Sequence, residues 1–370
     1  MDALRVTYRL RVESAQATAR AEAVALEQTV EVPRSVVRDP FVEEQILGRV
    51  EEVVPEAGGS HLATIAYPAA TTAFDPAQLV NVIFGNSSLH DDVECVDVEL
   101  PPSILSALEG PRFGLPGLRK AVGVYDRPLT CTAVKPMGLD PAALADLCGS
   151  FARAGIDVIK DDHGLADHSF CPFEERVQAC LAAVERVAEE TGHRAVYVPN
   201  LTGTPETIGR QLRFAEDRGA RAVLVAPMLV GLPAFWELCH RKASVPVIAH
   251  PAFGGAQRIA PELLFGRLFR LYGADAVIYV HFGGRFSYDR AVCRRLADRL
   301  VGSWAGILPS LPVPAGGMAV ESAAEVVDFY GLESMLLIGG SLQLHRNDLA
   351  KRSRGFVEAV RRAAERLGSD

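Results

Sequence analysis

The sequence has no C-x-x-C pair, and its 7 cysteines are an odd number; both facts argue against a zinc knuckle and against a disulfide framework. Apolar runs stop well short of the roughly 20 residues that a membrane helix needs. Excess positive charge is missing too. With 38 Lys+Arg against 46 Asp+Glu the net charge is -8, so a nucleic-acid or anionic-membrane binder, which needs a basic surface, is a poor fit. The opening MDALRVTYRL lacks the apolar stretch of a secretory signal. No G-x-G-x-x-G opens a first helix, which removes the usual support for a dinucleotide-binding sheet. What is there is a chain of 370 residues, 49% hydrophobic and 23% charged, with the balance of a packed, cytoplasmic metabolic protein. Its length predicts two domains.

The first ~115 residues read as an α+β unit. LRVTYRLRV, HLATIAYPA and VECVDVELP alternate as strands, while ARAEAVALEQTV and AQLVNVIFGN carry helical spacing. After the Pro/Gly-rich stretch from Pro111 to Gly117 the rhythm changes. Short apolar runs (LTCTAVK, IDVIKDD, AVYVPN, RAVLVAP, PVIAH, DAVIYVH, LPVPAGG, MLLIGG) then alternate with helical segments. Eight strands each followed by a helix, over about 240 residues, is the count of a (β/α)8 barrel. The expected architecture is therefore α/β: a C-terminal TIM barrel over residues 121–370, preceded by a ferredoxin-like α+β domain over residues 1–120.

Barrel chemistry sits at the C-terminal ends of the strands, so the residues that close each run are informative. They are Lys135, the set Lys160-Asp161-Asp162-His163, Asn200, His250, His281, and the glycine pairs Gly316-Gly317 and Gly339-Gly340. Strand alternation sends Lys160 and Asp162 to one side, with His163 able to curl in from the loop. Two carboxylates and an imidazole suit a divalent cation; a plain Lys160–Asp162 salt bridge with a solvated His163 is the competing reading. Lys135, among apolar walls, is placed to shuttle protons, or is a surface lysine before a turn proline. The glycine pairs follow the last two strands, where barrels bind phosphate, although turns use glycine anyway. His250 and His281 are either rim groups or satisfied core histidines. The loop FGGRFS carries Arg285 behind Gly283 and Gly284, as a cationic flap tip would.

Taken in order, TAVKPMGL, AGIDVIKDDH, FGGRF, PAGG and LIGGS resemble the large subunit of ribulose bisphosphate carboxylase (RuBisCO) and its non-carboxylating relatives, the RuBisCO-like proteins. The resemblance covers nearly the whole chain. It implies that Lys135 is the proton-shuttling lysine, that Lys160 takes up CO2 as a carbamate, and that Asp162 is a carboxylate ligand of Mg2+. His163 stands where the family usually has a glutamate as third ligand. Glu27 and Asn86 match residues that the N-terminal domain lends to the neighbouring subunit, which implies a homodimer or higher homo-oligomer with shared sites.

Departures from the family pattern bear on substrate. Met137 replaces a lysine, Ala315 a serine, and Arg285 the flap lysine, while Pro251 and Ile278 align with the arginine and histidine that grip a second phosphate. Gly316, Gly317, Gly339 and Gly340, which cradle the first phosphate, remain. The resemblance therefore implies a metal-dependent, enolate-forming enzyme acting on a monophosphorylated keto-sugar acid, without CO2 fixation on ribulose bisphosphate. The leading expectation is a lyase or C–C hydrolase of apionate catabolism, namely a 3-oxo-isoapionate 4-phosphate decarboxylase or transcarboxylase/hydrolase. The alternatives are a methionine-salvage 2,3-diketo-5-methylthiopentyl-1-phosphate enolase or methylthioribulose-1-phosphate isomerase, and a non-catalytic regulatory protein.

Overall fold

The computed structural model describes residues 2–284, 288–343 and 348–368. Four antiparallel strands form the first sheet, β1 (Ala3–Leu10), β2 (Arg49–Pro55), β3 (His61–Pro68) and β4 (Val93–Glu99), in the order β2-β3-β1-β4. Helices Ala17–Glu27 and Pro76–Phe84 connect β1 to β2 and β3 to β4, which is the βαββαβ plan of a ferredoxin-like unit. In β1 the residues Leu4, Val6, Tyr8 and Leu10 are buried and alternate with less buried ones, as a half-covered strand requires. Tyr8 anchors the helical layer by donating its hydroxyl to the Ile83 carbonyl at 2.6 Å.

Sequence reading finds three of these four strands. It misses β2, whose Glu51, Glu52 and largely exposed pattern hide it. Charged, solvated residues are what an edge strand uses to avoid further pairing.

Eight parallel strands follow: β5 (Leu129–Val134), β6 (Val158–Asp161), β7 (Val196–Val198), β8 (Val223–Val225), β9 (Val247–Ala249), β10 (Ala276–Val280), β11 (Leu311–Ala315) and β12 (Met335–Ile338). Each lies within a run singled out from the sequence. The hydrogen-bonded order is β7-β6-β5-β12-β11-β10-β9-β8, and a bridge between Asn200 and Leu224 joins the two ends. Every residue of β5 to β9 is buried, as parallel strands covered by helices on one face and a filled barrel on the other must be.

The barrel interior is a packed core of Leu129, Cys131, Val158, Val196, Leu224, Ile248, Ala276, Leu311 and Met335. Its N-terminal end is stoppered by the helix Gly114–Val122, which adds Leu118 and Val122 to that core. Asp275 fixes the stopper. Its Oδ1 accepts from the amide of Phe113 at 2.9 Å, and its Oδ2 from the amide of Val247 at 2.8 Å. Packing fills the lower barrel, so a cavity opens at the C-terminal end. Among the described residues no helix is long and apolar enough to cross a membrane.

Candidate active site

A cavity of about 470 Å3 opens at the C-terminal rim. Lys135, Lys160, Asp162, His163, His250, Gly316, Gly317, Gly339 and Gly340 all line it, so most of the strand-end residues converge. Another cavity of about 410 Å3, bounded by Gln178, Glu185, Arg218 and Arg221, lies at the N-terminal ends of β7 and β8. That end of a barrel serves stability, and the converging lysines and carboxylate mark the C-terminal cavity as the chemical one.

The two carboxylates of the K-D-D triplet separate as strand alternation demands. Asp161 turns outward and is fully committed: it accepts from Arg176 Nε at 3.0 Å, from the Tyr197 hydroxyl at 2.6 Å and from the Asn200 amide at 3.1 Å. Both members of the Asp161–Arg176 pair are sealed from solvent. Asp162 faces the cavity and is ion-paired to Lys135. Burial alone would raise the Asp162 pKa, but the Lys135 ammonium outweighs it and holds the carboxyl below its ordinary value.

Lys160 is only 3% exposed, and its Nζ donates to the backbone carbonyl of Asp161 at 2.9 Å. Desolvation lowers its pKa, which favours the neutral, nucleophilic amine. His163 places Nδ1 3.7 Å from Asp162 Oδ1, and its ring stacks on that of His250. Burial lowers the pKa of both imidazoles, and the nearby Lys160 ammonium pushes in the same direction. Nδ1 of His250 accepts from the Ala252 amide at 3.1 Å.

The glycine turns are shaped by mutual approach. Gly316 and Gly317 have φ of +90° and +78°, conformations that side chains disfavour. A Cβ on Gly317 would collide with the Cα of Gly284, and one on Gly284 with the Gly316 carbonyl. The loops after β10 and β11 thus touch backbone to backbone. Gly339 and Gly340 present unobstructed backbone.

Other expected residues lie elsewhere. His281 is not brought to the cavity; it is 4% exposed and packs on Phe282 and Tyr330, with ring centroids 4.4 and 6.4 Å away. The physical reason is strand period: Ile278 and Val280 face inward, so His281 faces the outer helices. Glu27 and Asn86 lie outside the cavity of their own chain and hydrogen-bond to each other at 3.0 Å. Arg285 lies outside the described residues.

Two contributors were not assigned roles from sequence. Asn200 is 1% exposed and donates Nδ2 to the carbonyls of His163 and Leu165, at 3.1 and 3.0 Å, so it holds the loop that carries His163. Its position as the polar end of a strand was the available signal. Ser341 lines the cavity beside Gly340 and donates to the Met318 carbonyl at 2.6 Å.

Asp162 and His163 supply one oxygen and one nitrogen donor for a metal ion. Among the described residues no group of three or more His, Cys, Asp or Glu is placed to hold one. The set fits a divalent cation when Lys160 contributes a third, anionic donor.

Comparison with known proteins agrees with this geometry. The sequence pattern of the ribulose bisphosphate carboxylase large chain, catalytic domain, matches residues 114–367. The 5-methylthioribulose-1-phosphate isomerase of Rhodospirillum rubrum is 43% identical over 366 residues, covering 99% of this chain and 98% of that protein. The 2,3-diketo-5-methylthiopentyl-1-phosphate enolase of Geobacillus thermodenitrificans is 33% identical over 307 residues, covering 81% of this chain and 74% of the relative. The crystal structure of a RuBisCO-like protein from Rhodopseudomonas palustris superposes with a TM-score of 0.90 at 42% identity, covering 97% of this chain and 98% of that one.

Proposed function

Because this chain belongs to the ribulose bisphosphate carboxylase large-chain family, among its RuBisCO-like members, we propose that it isomerises a phosphorylated keto-sugar of the 5-methylthioribulose 1-phosphate class by way of an enediolate. The observation that carries this reading is the convergence of Lys135, Asp162 and buried Lys160 on a cavity whose adjoining rim carries the Gly339-Gly340 and Gly316-Gly317 turns. The relative named as an isomerase, at 43% identity over nearly the full chain, supports it. The enolase named above is the second reading, since it shares the same first step. These two relatives favour isomerase or enolase over a 3-oxo-isoapionate 4-phosphate decarboxylase or transcarboxylase/hydrolase.

In the proposed reaction a proton leaves the carbon beside the carbonyl, and its bonding pair moves onto the carbonyl oxygen. The hydroxyl on the deprotonated carbon passes its proton to that oxygen, and protonation of the former carbonyl carbon then leaves the carbonyl on its neighbour, with no atom gained or lost. Lys135 Nζ stands at the cavity beside Asp162; in its neutral form it would take that proton, and the ammonium so formed would return it. Burial lowers the Lys160 pKa, so its ammonium gives up a proton more readily, and the neutral amine can attack CO2: an N–C bond forms as a C–O π bond opens, the nitrogen loses a proton, and the side chain becomes an anionic carbamate. That carbamate, Asp162 and His163 would hold Mg2+. A bound divalent cation supplies positive charge that stabilises oxygens turning negative. His250 braces the His163 ring, and Asn200 fixes its loop. Gly316, Gly317, Gly339 and Gly340 let backbone approach the phosphate without side-chain obstruction. Glu27 and Asn86, standing outside their own cavity, complete the site of a second subunit in a homodimer or larger assembly.

The test is direct. Protein equilibrated with Mg2+ and bicarbonate is given 5-methylthioribulose 1-phosphate, and the products are read by 31P and 13C NMR. An isomer of unchanged mass is expected. Recovery of substrate alone would end the proposal, and CO2 release from a 3-oxo sugar-acid phosphate would restore the decarboxylase reading.

A further inference from the structure

A buried ion pair stands at each end of β6. Beside its N-terminal end Asp157 accepts from Nη1 and Nη2 of Arg127 at 2.7 and 2.9 Å, and at its C-terminal end Asp161 accepts from Nε of Arg176 at 3.0 Å. All four side chains are buried. The pairs differ in what else the arginine reaches. Arg127 adds the carbonyl of Pro128, its own chain neighbour. Arg176, in the first turn of the helix Phe173–Thr191, donates from Nη1 to the carbonyls of Ala166 and Cys171, both at 3.0 Å. Those carbonyls belong to residues 162–172, a stretch without helix or strand that joins β6 to this helix and carries Asp162 and His163 at its start.

We infer that Arg176 is a positioning residue for the cation site: residues 162–172 wrap around its guanidinium, which fixes the backbone from which Asp162 and His163 project before any metal arrives. This rests on the reading above, in which Asp162, His163 and the carbamate of Lys160 hold Mg2+. Stability alone is a poor reason for such a group, because a buried ion pair loses about as much in hydration as it gains in attraction. Arg176 carries a further cost, since its Nη2 is sealed from water without a hydrogen-bond partner among the described residues. What the group does supply is direction. Its rigid fork meets a carboxylate and two carbonyls along fixed lines, whereas lysine offers one nitrogen and can serve the carboxylate or the carbonyls but not both. Asp161 is tied in turn to β7 by the Tyr197 hydroxyl and the Asn200 amide, and Asn200 Nδ2 takes the carbonyls of His163 and Leu165. Four carbonyls of the stretch therefore end on two buried side chains. The His250 ring orients the His163 imidazole, and Arg176 with Asn200 sets the chain that carries it.

The experiment measures Mg2+ binding to bicarbonate-equilibrated protein by isothermal titration calorimetry, for the wild type, Arg176→Lys, Arg127→Lys and Tyr197→Phe, each checked for folding by its melting transition. Arg176→Lys is expected to raise the Kd for Mg2+ about 10–100-fold, the range for groups that orient metal ligands. Arg127→Lys makes the same exchange at the other end of the same strand; it is expected to lower the melting temperature but to leave the Kd within about twofold of wild type. A wild-type Kd in folded Arg176→Lys, or a rise of the same size in Arg127→Lys, would overturn the assignment. If either lysine variant fails to fold, Tyr197→Phe decides, since it keeps the ring and deletes one bond to Asp161: a Kd raised about 10-fold supports the assignment, and a wild-type Kd overturns it. Wild-type protein that binds no Mg2+ would remove the metal reading and this assignment together. The expected pattern without isomerase turnover would instead sink the proposed activity and leave the role of Arg176 standing.

Discussion

The imidazole of His163 lies flat on that of His250, with ring centroids 4.0 Å apart and planes 14° from parallel. His163 is the exposed partner, at 41% of its side chain, while His250 is anchored from behind by its bond with the Ala252 amide. The stack therefore fixes the orientation of a proposed metal donor that its own loop leaves accessible. His250→Leu keeps the apolar bulk and removes the flat ring. Supporting residues around a metal typically contribute 10–100-fold in affinity, so this variant is expected to weaken Mg2+ activation by about that factor. The midpoint of a Mg2+ titration of turnover measures it, and an unmoved midpoint would remove His250 from this role.

Lys160 and Lys135 separate two functions that the sequence places side by side. Lys160 is buried and its Nζ has a backbone carbonyl as partner, so Lys160→Ala removes a poorly solvated cation as well as packing. Its melting temperature is expected to stay within a few degrees of wild type, while bicarbonate-dependent Mg2+ binding and turnover are both lost. Lys135→Ala is expected to retain Mg2+ binding and lose turnover by about 10^2–10^4-fold, the range for a general acid–base group. Calorimetry of Mg2+ binding, with and without bicarbonate, separates the two patterns. Loss of binding in both variants alike would contradict the division of labour.

Alternation was legible in the sequence wherever a strand was fully formed. It correctly sent Lys160 and Asp162 to one face, and Asp161 proves to be the outward residue, locked to Arg176. The same count, continued from inward Ile278 and Val280, places His281 on the outer face, so reading it as a rim group overlooked available information. The close approach of Gly284 to Gly317 was not legible, because the two residues lie on different loops and neither loop alone demands it. Asn200 could be seen to end a strand, but its bonds to His163 and Leu165 depend on how far the preceding loop folds back. Edge strand β2 was hidden by the charge that protects it.

The glycine contact supplies its own prediction. Gly317 combines a φ of +78° with a direction in which any Cβ would meet the backbone of Gly284. Alanine there carries a left-handed backbone penalty of roughly 1–2 kcal/mol and must also push the two loops apart. Gly317→Ala is expected to raise KM for the phosphorylated substrate at least 10-fold with a smaller change in kcat. Gly331→Ala, with a φ of +75° but open space around it, serves as the control that carries backbone strain without loop displacement. If both variants have wild-type KM, the glycine turns do not cradle the phosphate.

His281 gives the chain a specific sensitivity to acid. Burial lowers its pKa from 6.5 to about 4, and its Nδ1 is sealed without a hydrogen-bond partner among the described residues. The folded protein therefore keeps this ring neutral at pH values where the unfolded chain takes up a proton. The neutral ring's contribution to stability is complete above about pH 6.5, falls as the pH drops through the interval to about 4, and is fully lost below it. Phenylalanine fits the aromatic surroundings of Phe282 and Tyr330 and cannot titrate. His281→Phe is thus expected to match wild-type stability within about 1 kcal/mol near neutrality, as a buried aromatic exchange should, and to lose less stability than wild type on going from pH 7 to pH 4.5. Urea denaturation at a series of pH values measures the difference. Parallel curves for the two proteins across that range would show that the ring is protonated, or free to leave its pocket, in the folded state.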